Sequence, residues 1–407
     1  MIEKKLLKDY ARLLALKGLN VQKGQEVIVF CELDQPEFVK IVCEELYKLG
    51  AKKVFVDFSY QPITALGYKK QTLSALSSME TFEEAKWKWR AETLPCHLYL
   101  ISEDPFGLSS VKDEKITKSN MARYPVIKPY RKSMEAKYQW CIAAVPGKSW
   151  AKRVFPELSV QKAVEKLWRA ILSASLVDGN AVENWNAHNE TVKKKCEYLN
   201  SLKLRSLHYL SSNGTDFTVE LNERGEFHGG ADKTLKGVLF NPNIPSYEVF
   251  TSPIAGKCEG RVVATKPLSY KGKIIDKFEI VFKKGKAVSA TAEKGEELLN
   301  QIIKMDEGAA MLGECALVPY NNPINDSGIL FYETLFDENA CCHLALGEGF
   351  PETLSGYENM TQDEIKKAGI NDSMIHVDFM IGSLDLKIVG TCADGKQIVI
   401  FDKGNWA

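Results

Sequence analysis

The chain has 407 residues, of which 45% are hydrophobic and 26% are charged, and its 53 Lys and Arg residues balance its 53 Asp and Glu residues. This composition excludes global disorder, and the charge balance argues against the broad basic surface of a nucleic-acid-binding protein. The longest apolar runs, such as 140–146, are far shorter than the roughly 20 residues of a membrane-spanning helix. The sequence therefore indicates a globular protein of two or three domains, without a nucleic-acid or membrane partner.

The first half of the chain predicts a parallel β-sheet with helices. At 1–20, charged residues interrupt the apolar ones at helical spacing, so we expect an amphipathic helix rather than a signal peptide, and a cytoplasmic location. Strands are predicted at 26–30 and 52–58 with a helix over 36–49 between them, and this order is a parallel βαβ unit. Further strands are expected at 96–102 and 139–146, and further helices at 159–176 and 180–202.

After about residue 205, short alternating segments predict antiparallel strands. Turn signals such as Tyr270-Lys271-Gly272 and Ala393-Asp394-Gly395 separate them, and an Asp-Gly pair between β-rich runs indicates a hairpin. One helix is expected at 293–305. We therefore predict a multi-domain α/β plus α+β protein, with an N-terminal parallel-sheet α/β domain at 1–205 and a C-terminal antiparallel β-rich domain at 206–407.

Several common site motifs are missing from the sequence. The ten cysteines form no CxxC pair, which argues against a zinc ribbon, and a chain of this length does not need disulfides. No GxxxxGK[ST] phosphate loop and no H-E-x-x-H helix occur. Any metal site must therefore be built from separated segments.

Two of the six histidines stand beside carboxylates or glycines in strand-like segments. His376 and Asp378 lie in MIHVDFMIGS, and residues i and i+2 of a strand project to the same face. Such a pair is either half a site for a divalent ion or a core histidine hydrogen-bonded to a carboxylate. His343 lies in DENACCHLALGEGF, where Gly347 and Gly349 permit close approach of the backbone. These segments alone leave both interpretations open.

Two glutamates in the same half of the chain have unusual surroundings. Glu314 lies in DEGAAMLGECALVP, just before an apolar run, and Glu248 lies in NPNIPSYEVFTSP between two prolines. A carboxylate at the head of an apolar strand is either solvated at the edge of a sheet or used chemically. The residues themselves do not separate these two possibilities.

Four segments, in this order, resemble the signature blocks of the aminopeptidase T and aminopeptidase S family of dinuclear metallopeptidases: FNPNIPSYEVFTSP, DEGAAMLGECALVPYNNPI, LFYETLFDENACCHLALG and HVDFMIGS. The resemblance extends to KGLNVQKGQEVIVF, PGKSWAKRVFP and the terminal FDKGNWA, so it spans nearly the whole chain. It implies a metal-dependent aminopeptidase that uses a two-metal-activated water to hydrolyse the N-terminal residue from peptides with a free N-terminus. It also implies a homodimer.

The resemblance further implies a ligand set for two divalent ions, which would be zinc, cobalt or manganese. Matched block to block, the ligands fall on Glu248, Glu314, His343, His376 and Asp378. Catalytic roles fall on Glu314 and Glu248. The bridging carboxylate is Glu314 or Asp378, and the nearest general-base candidates are Glu338 and Glu333.

One position departs from the family pattern. The family has a tyrosine seven residues after the first histidine of the set, and this position is Phe350 here. Phenylalanine has no oxygen with which to bind a metal or stabilise an oxyanion. Two alternatives therefore accompany the aminopeptidase interpretation: a peptide-binding protein with a weakened metal site, and a non-peptidase metallohydrolase with the same ligands.

Overall fold

A computed structural model describes residues 2–407 and divides the chain into two compact units. The first unit runs to Ala187 and includes Ala231–Pro245, and the second consists of His188–Gly230 and Ser246–Ala407. The domain boundary that we predict after residue 205 stays a prediction. Within residues 2–407, no helix has both the length and the apolar character needed to cross a bilayer.

The first unit contains a five-stranded sheet whose neighbouring strands are parallel. Its strands in spatial order are Lys53–Ser59, Glu26–Glu32, Cys96–Ile101, Trp140–Ala144 and Asn243–Ile244. The first four confirm the predicted strands, and their near-continuous apolar runs are typical of parallel sheets. The fifth has only two residues, which is too short for a periodic signal.

Helices make up most of the remaining first unit. Their bounds are Lys4–Leu13 with a π-helical turn at Leu14–Gly18, Pro36–Lys48, Gln61–Lys70, Leu73–Ser77, Thr81–Thr93, Asp113–Met134, Lys148–Val154 and Val160–Ala174. The helix Ala181–Ser201 contains the division between the units, and a two-stranded sheet pairs Asp232–Lys233 with Leu239–Phe240. The helices between 61 and 134 were not predicted from the sequence.

The second unit contains a nine-stranded antiparallel sheet, which confirms the predicted change of pattern. Both predicted turns join neighbouring strands of this sheet. Eight strands follow the order Leu268–Tyr270, Lys273–Lys283, Pro253–Val263, Asp216–Leu221, Leu204–Leu210, Lys387–Cys392, Gln397–Asp402 and Asn405–Trp406, and Lys286–Lys294 pairs with Lys273–Lys283.

A second antiparallel sheet, which we call the site sheet, has the strand order Val249–Thr251, Leu312–Leu317, His343–Gly347 and His376–Met380. Its strands alternate with period two. Buried apolar side chains of one face belong to the core of the second unit, and they are Cys315, Leu317, Leu344, Leu346, Val377 and Phe379. Phe379 lies 5.9 Å from Phe278 of the nine-stranded sheet, measured between ring centroids. The residues between these core positions therefore point to the opposite face.

Short helices and turns complete the second unit. They are Glu296–Ile303, which confirms the helix predicted at 293–305, Pro323–Asp326, Thr334–Glu338 and Gln362–Lys367, with 3₁₀ turns at Gly308–Ala310, Pro351–Thr353 and Tyr357–Asn359. All ten cysteines of the chain are free thiols, and eight of them are buried.

Candidate metal centre

The polar face of the site sheet carries four of the five residues matched to the family's ligand set. Glu314 is directly opposite Ala345, and Ala345 is directly opposite Asp378, so the two carboxylates lie in one row across three strands. Residues directly opposite in an antiparallel pair project to the same face, with β-carbons about 4.5–5.5 Å apart. The residue between the two carboxylates, Ala345, has only a methyl group as its side chain.

Glu248, Glu314 and His343 form the first cluster, in which one ligand-type atom from each residue lies within 4.8 Å of the others. Glu248 immediately precedes the edge strand Val249–Thr251, and its Oε2 lies 3.4 Å from His343 Nε2. Both glutamates are buried, with exposed fractions of 8% and 4%. Burial excludes the solvated-edge interpretation of both residues.

Glu314 also belongs to a second cluster, with His376 and Asp378. The Nε2 atom of His376 lies 3.1 Å from Glu314 Oε2 and 3.2 Å from Asp378 Oδ1. Each cluster thus contains one imidazole and two carboxylates, and Glu314 is the member that they share. Carboxylate oxygens and imidazole nitrogens are the donors that zinc, cobalt and manganese accept.

Backbone carbonyls set the orientation of both imidazoles. The Nδ1 atom of His376 donates to the carbonyl oxygen of Glu348 at 2.8 Å, and that of His343 lies 3.3 Å from the carbonyl of Cys341. Because a carbonyl oxygen only accepts, the proton of each ring belongs on Nδ1. Nε2 of each ring then faces the carboxylates and can bind either a metal ion or a proton, which is the arrangement found behind metal-binding histidines.

Two glycines allow the strands to approach at this site. A register shift between Leu312 and Glu314 marks a bulge, and a β-carbon on Gly313 would lie 2.0 Å from the carbonyl oxygen of Glu348. Gly347 has a φ of +101°, and a β-carbon added there would lie 2.0 Å from the carbonyl oxygen of Ile375. Bulges beside sites re-aim a side chain, and this one directs Glu314 to the polar face.

Glu338, a general-base candidate from the sequence, lies outside the ligand set matched to the family. It ends the helix Thr334–Glu338, is half-buried, and lines a small cavity with Asp378, Asp337 and Met380. Burial and the negative charge of Asp378 hold the pKa of the Glu338 carboxyl well above its ordinary value. Its position directly after Asp337 in an acidic run was the available signal.

The site carries more negative charge than its own residues neutralise. Burial alone would lower the pKa of His343, but the hydrogen bond to Glu248 and the charge of Glu314 raise that pKa to about 9. The charge of Asp378 likewise raises the pKa of His376 against the effect of burial. Both shifts favour the protonated imidazoles, because buried carboxylates require compensating positive charge.

A further observation indicates that these donors suit divalent ions. Asp378 is 8% exposed, and its Oδ1 is buried without a hydrogen-bond partner among the described residues, although His376 Nε2 is nearby. Buried carboxylate oxygens without a partner are rare in native proteins. A cation at this position would satisfy both the oxygen and the charge excess, in competition with protons.

Phe350 faces the same site. Its ring centroid lies 4.9 Å from that of His376 and 5.3 Å from that of Phe250. Its backbone N–H donates to Ser252 Oγ at 2.8 Å, which fixes the start of the following turn. The second general-base candidate, Glu333, precedes the helix that ends at Glu338, and its backbone N–H donates to Asp337 Oδ2.

Comparison with known proteins gives consistent matches over the whole chain. A model of the thermophilic metalloprotease (M29) family matches residues 3–406. Aminopeptidase 2 of Geobacillus stearothermophilus and aminopeptidase AmpS of Bacillus subtilis (strain 168) are each 38% identical to the chain, over 405 and 406 residues, and each alignment covers at least 98% of both sequences.

Two solved structures are also similar. Wild-type AmpT from Thermus thermophilus matches with a TM-score of 0.91 and 35% identity, over 99% of both chains. A 2,5-dihydroxypyridine dioxygenase from Pseudomonas putida KT2440 matches with a TM-score of 0.53 and 15% identity, over 99% of this chain and 96% of that one. The second match is a likeness of fold, and one fold can carry unrelated chemistries.

Proposed function

Because the chain belongs to the thermophilic metalloprotease (M29) family, we propose that it is a metal-dependent aminopeptidase that hydrolyses the N-terminal residue from peptides with a free N-terminus. The observation that carries this proposal is the pair of overlapping clusters on one face of the site sheet, each with one imidazole and two carboxylates. Relatives named aminopeptidases, at 35–38% identity over nearly the full chain, support the exopeptidase activity.

The two clusters supply a residue set for two divalent ions, which would be zinc, cobalt or manganese. Glu248 and His343 would hold one ion, and His376 and Asp378 would hold the other. Glu314 belongs to both clusters, so we assign the bridging role to Glu314 rather than Asp378. When bound, the two ions supply the positive charge that polarises a scissile carbonyl and activates a water.

The preference for a free N-terminus that we propose rests on the relatives named aminopeptidases. Holding the substrate by its terminal amine places the first peptide bond at the site. Orientation of this kind supplies a large part of the catalysis that enzymes achieve.

Metal content and turnover, measured on one variant, would determine the role of Glu338. Glu338→Gln replaces the carboxyl group by an amide and keeps the shape of the side chain. Loss of bound metal would identify Glu338 as a further ligand. Full metal content with loss of turnover would identify it as the proton acceptor for the attacking water.

A pair of matched substrates tests the proposed activity. An aminoacyl peptide with a free amine should be cleaved, and its N-acetylated form should be inert. A chelator should abolish cleavage, and added zinc, cobalt or manganese should restore it. Equal cleavage of both substrates would contradict the aminopeptidase assignment, and metal content near zero in protein purified without chelator would contradict the metal requirement.

Metal stoichiometry tests the ligand assignment. After dialysis, Glu248→Gln and Asp378→Asn should each retain about one of two ions, whereas Glu314→Gln should lose both. The exposed glutamate Glu358 provides a control, since Glu358→Gln should keep the full content. Loss of a single ion from Glu314→Gln would contradict the bridging role.

We further propose that the protein is a homodimer in the cytoplasm. The dimer rests on the family resemblance. The location is supported by the ten cysteines, which are all free thiols.

A further inference from the structure

One buried amide links the chain segment of Glu248 to the helix that ends at Glu338. Asn339 follows that helix directly and has an exposed fraction of 0%. Its Oδ1 accepts a hydrogen bond from the backbone N–H of Tyr247 at 2.7 Å. Its Nδ2 donates to the carbonyl of Leu335 at 3.0 Å and lies 3.4 Å from Glu338 Oε1, to which it also donates.

We infer that Asn339 is a positioning residue of the metal centre, which fixes Glu248 and Glu338 relative to each other through its amide. Tyr247 and Asn339 are 92 positions apart in the sequence, so this hydrogen bond joins two segments that the chain itself does not hold together. The inference rests on the proposed function, because it concerns the residues that surround the proposed ions.

Ser246 and His188 also hold the segment before Glu248. Ser246 Oγ donates to Glu248 Oε1 at 3.3 Å, and His188 Nε2 donates to the Ser246 carbonyl at 2.7 Å. The first bond lies within the segment, and the second joins the segment to the helix that carries His188. The hydrogen bond of Asn339 joins it to the segment carrying Glu338.

An amide suits this position better than the carboxylate of the same shape. Asn339 accepts from Tyr247 on one side and donates to Leu335 and Glu338 on the other, and only an amide offers both functions in this shape. An aspartate would accept from Tyr247 but could not donate. It would also add a negative charge beside Glu338 Oε1, which accepts from the Asn339 amide.

Asn339→Asp therefore tests the inference, and the chain offers a matched control. Asn322 is 4% exposed and also lies in the second unit. Its Nδ2 donates to the carbonyls of Pro319 and Ala340, and its Oδ1 accepts from Ile324 N–H. Asn322→Asp thus also buries a carboxylate and removes two donated hydrogen bonds. None of these bonds involves a proposed ligand.

The measurement is Zn²⁺ affinity of the metal-stripped full chain, by competition with a chromophoric chelator, alongside the thermal unfolding of each metal-free variant. Loss of a residue that orients metal ligands typically weakens metal binding about 10- to 100-fold. We expect a loss of that size for Asn339→Asp, and a loss below about threefold for Asn322→Asp at a similar drop in unfolding temperature.

Wild-type affinity in Asn339→Asp, or equal losses in the two variants, would overturn the inference and leave the proposed function standing. If Asn339→Asp does not fold, Asn339→Ser removes the same donors without adding a charge, and the same loss of affinity is expected. Absence of Zn²⁺, Co²⁺ and Mn²⁺ binding in the wild type would overturn the proposed function and this inference together.

Discussion

Acid should destabilise the first unit through one buried histidine, His97. This residue is 2% exposed, and its ring lies 5.4 Å from that of Phe30 and 4.7 Å from that of Tyr138. The Tyr99 hydroxyl lies 3.3 Å from Nδ1, while Nε2 has no hydrogen-bond partner within residues 2–407. Burial, reinforced by the positive charge of Arg90, lowers the pKa of His97 to about 3.

The sign and size of the effect follow from this pKa. An unfolded chain binds a proton at histidine below about pH 6.5, whereas the folded chain does not bind one at His97 until the pH nears 3. The free energy of unfolding therefore falls as the pH falls through this window. At about 1.4 kcal/mol per pH unit, the loss reaches about 2 kcal/mol at pH 5 and about 4 kcal/mol near pH 3.

Urea unfolding of the wild type and His97→Phe at pH 7 and pH 5 measures this effect. Phenylalanine keeps an aromatic ring among the aromatic neighbours and cannot titrate. A chelator in all samples removes the separate effect of pH on metal binding. The wild type should lose about 2 kcal/mol more than the variant between the two pH values, and His208→Gln provides a control at a half-buried histidine that pairs with Asp216. Equal pH dependence in the wild type and His97→Phe would refute the reasoning.

Three other outcomes are expected. Phe350→Tyr should raise kcat on an unblocked aminoacyl substrate or tighten metal binding, by up to about 10²-fold, because the tyrosine hydroxyl would add an oxygen donor near His376. No gain in either quantity would show that the missing hydroxyl does not limit the protein. Ala345→Leu should lower metal content after dialysis, since its side chain would fill the space between Glu314 and Asp378, and wild-type content would contradict this. Light scattering should give twice the chain mass, and a value near 45.6 kDa would exclude the homodimer.

Period-two alternation made half of the candidate site predictable from the sequence. His376 and Asp378 were expected on one face of a strand, and their side chains do meet, with 3.2 Å between Nε2 and Oδ1. The meeting of Glu248 with His343 was not predictable from spacing, since it depends on the pairing of Phe250 with Ala316 across distant strands. Non-local pairings of this kind leave no trace in a local pattern, so only the family resemblance indicated them.

The fold shows the same division between local and non-local information. Strands and helices with a clear apolar period were predicted, including Pro36–Lys48 and Val160–Ala174. The helix Asp113–Met134 was missed because Pro125 and Pro129 lie inside it and only two of its residues, Ser119 and Met134, are buried. Proline removes a helical hydrogen bond and normally ends a helix, so the local signal opposed the structure that forms.

The two-residue repeat of the site sheet makes its strands intolerant of changes in length. Glu314, His376 and Asp378 alternate with Cys315, Val377 and Phe379, which are buried in the apolar core. Deleting or inserting one residue in either strand exchanges the two faces, so that carboxylates would enter the core and hydrocarbon would enter the site. Folding and chemistry would then fail together. Sequence changes in these strands that preserve folding or chemistry are therefore confined to substitutions that keep this alternation. Insertions and deletions are expected in the loops between the strands.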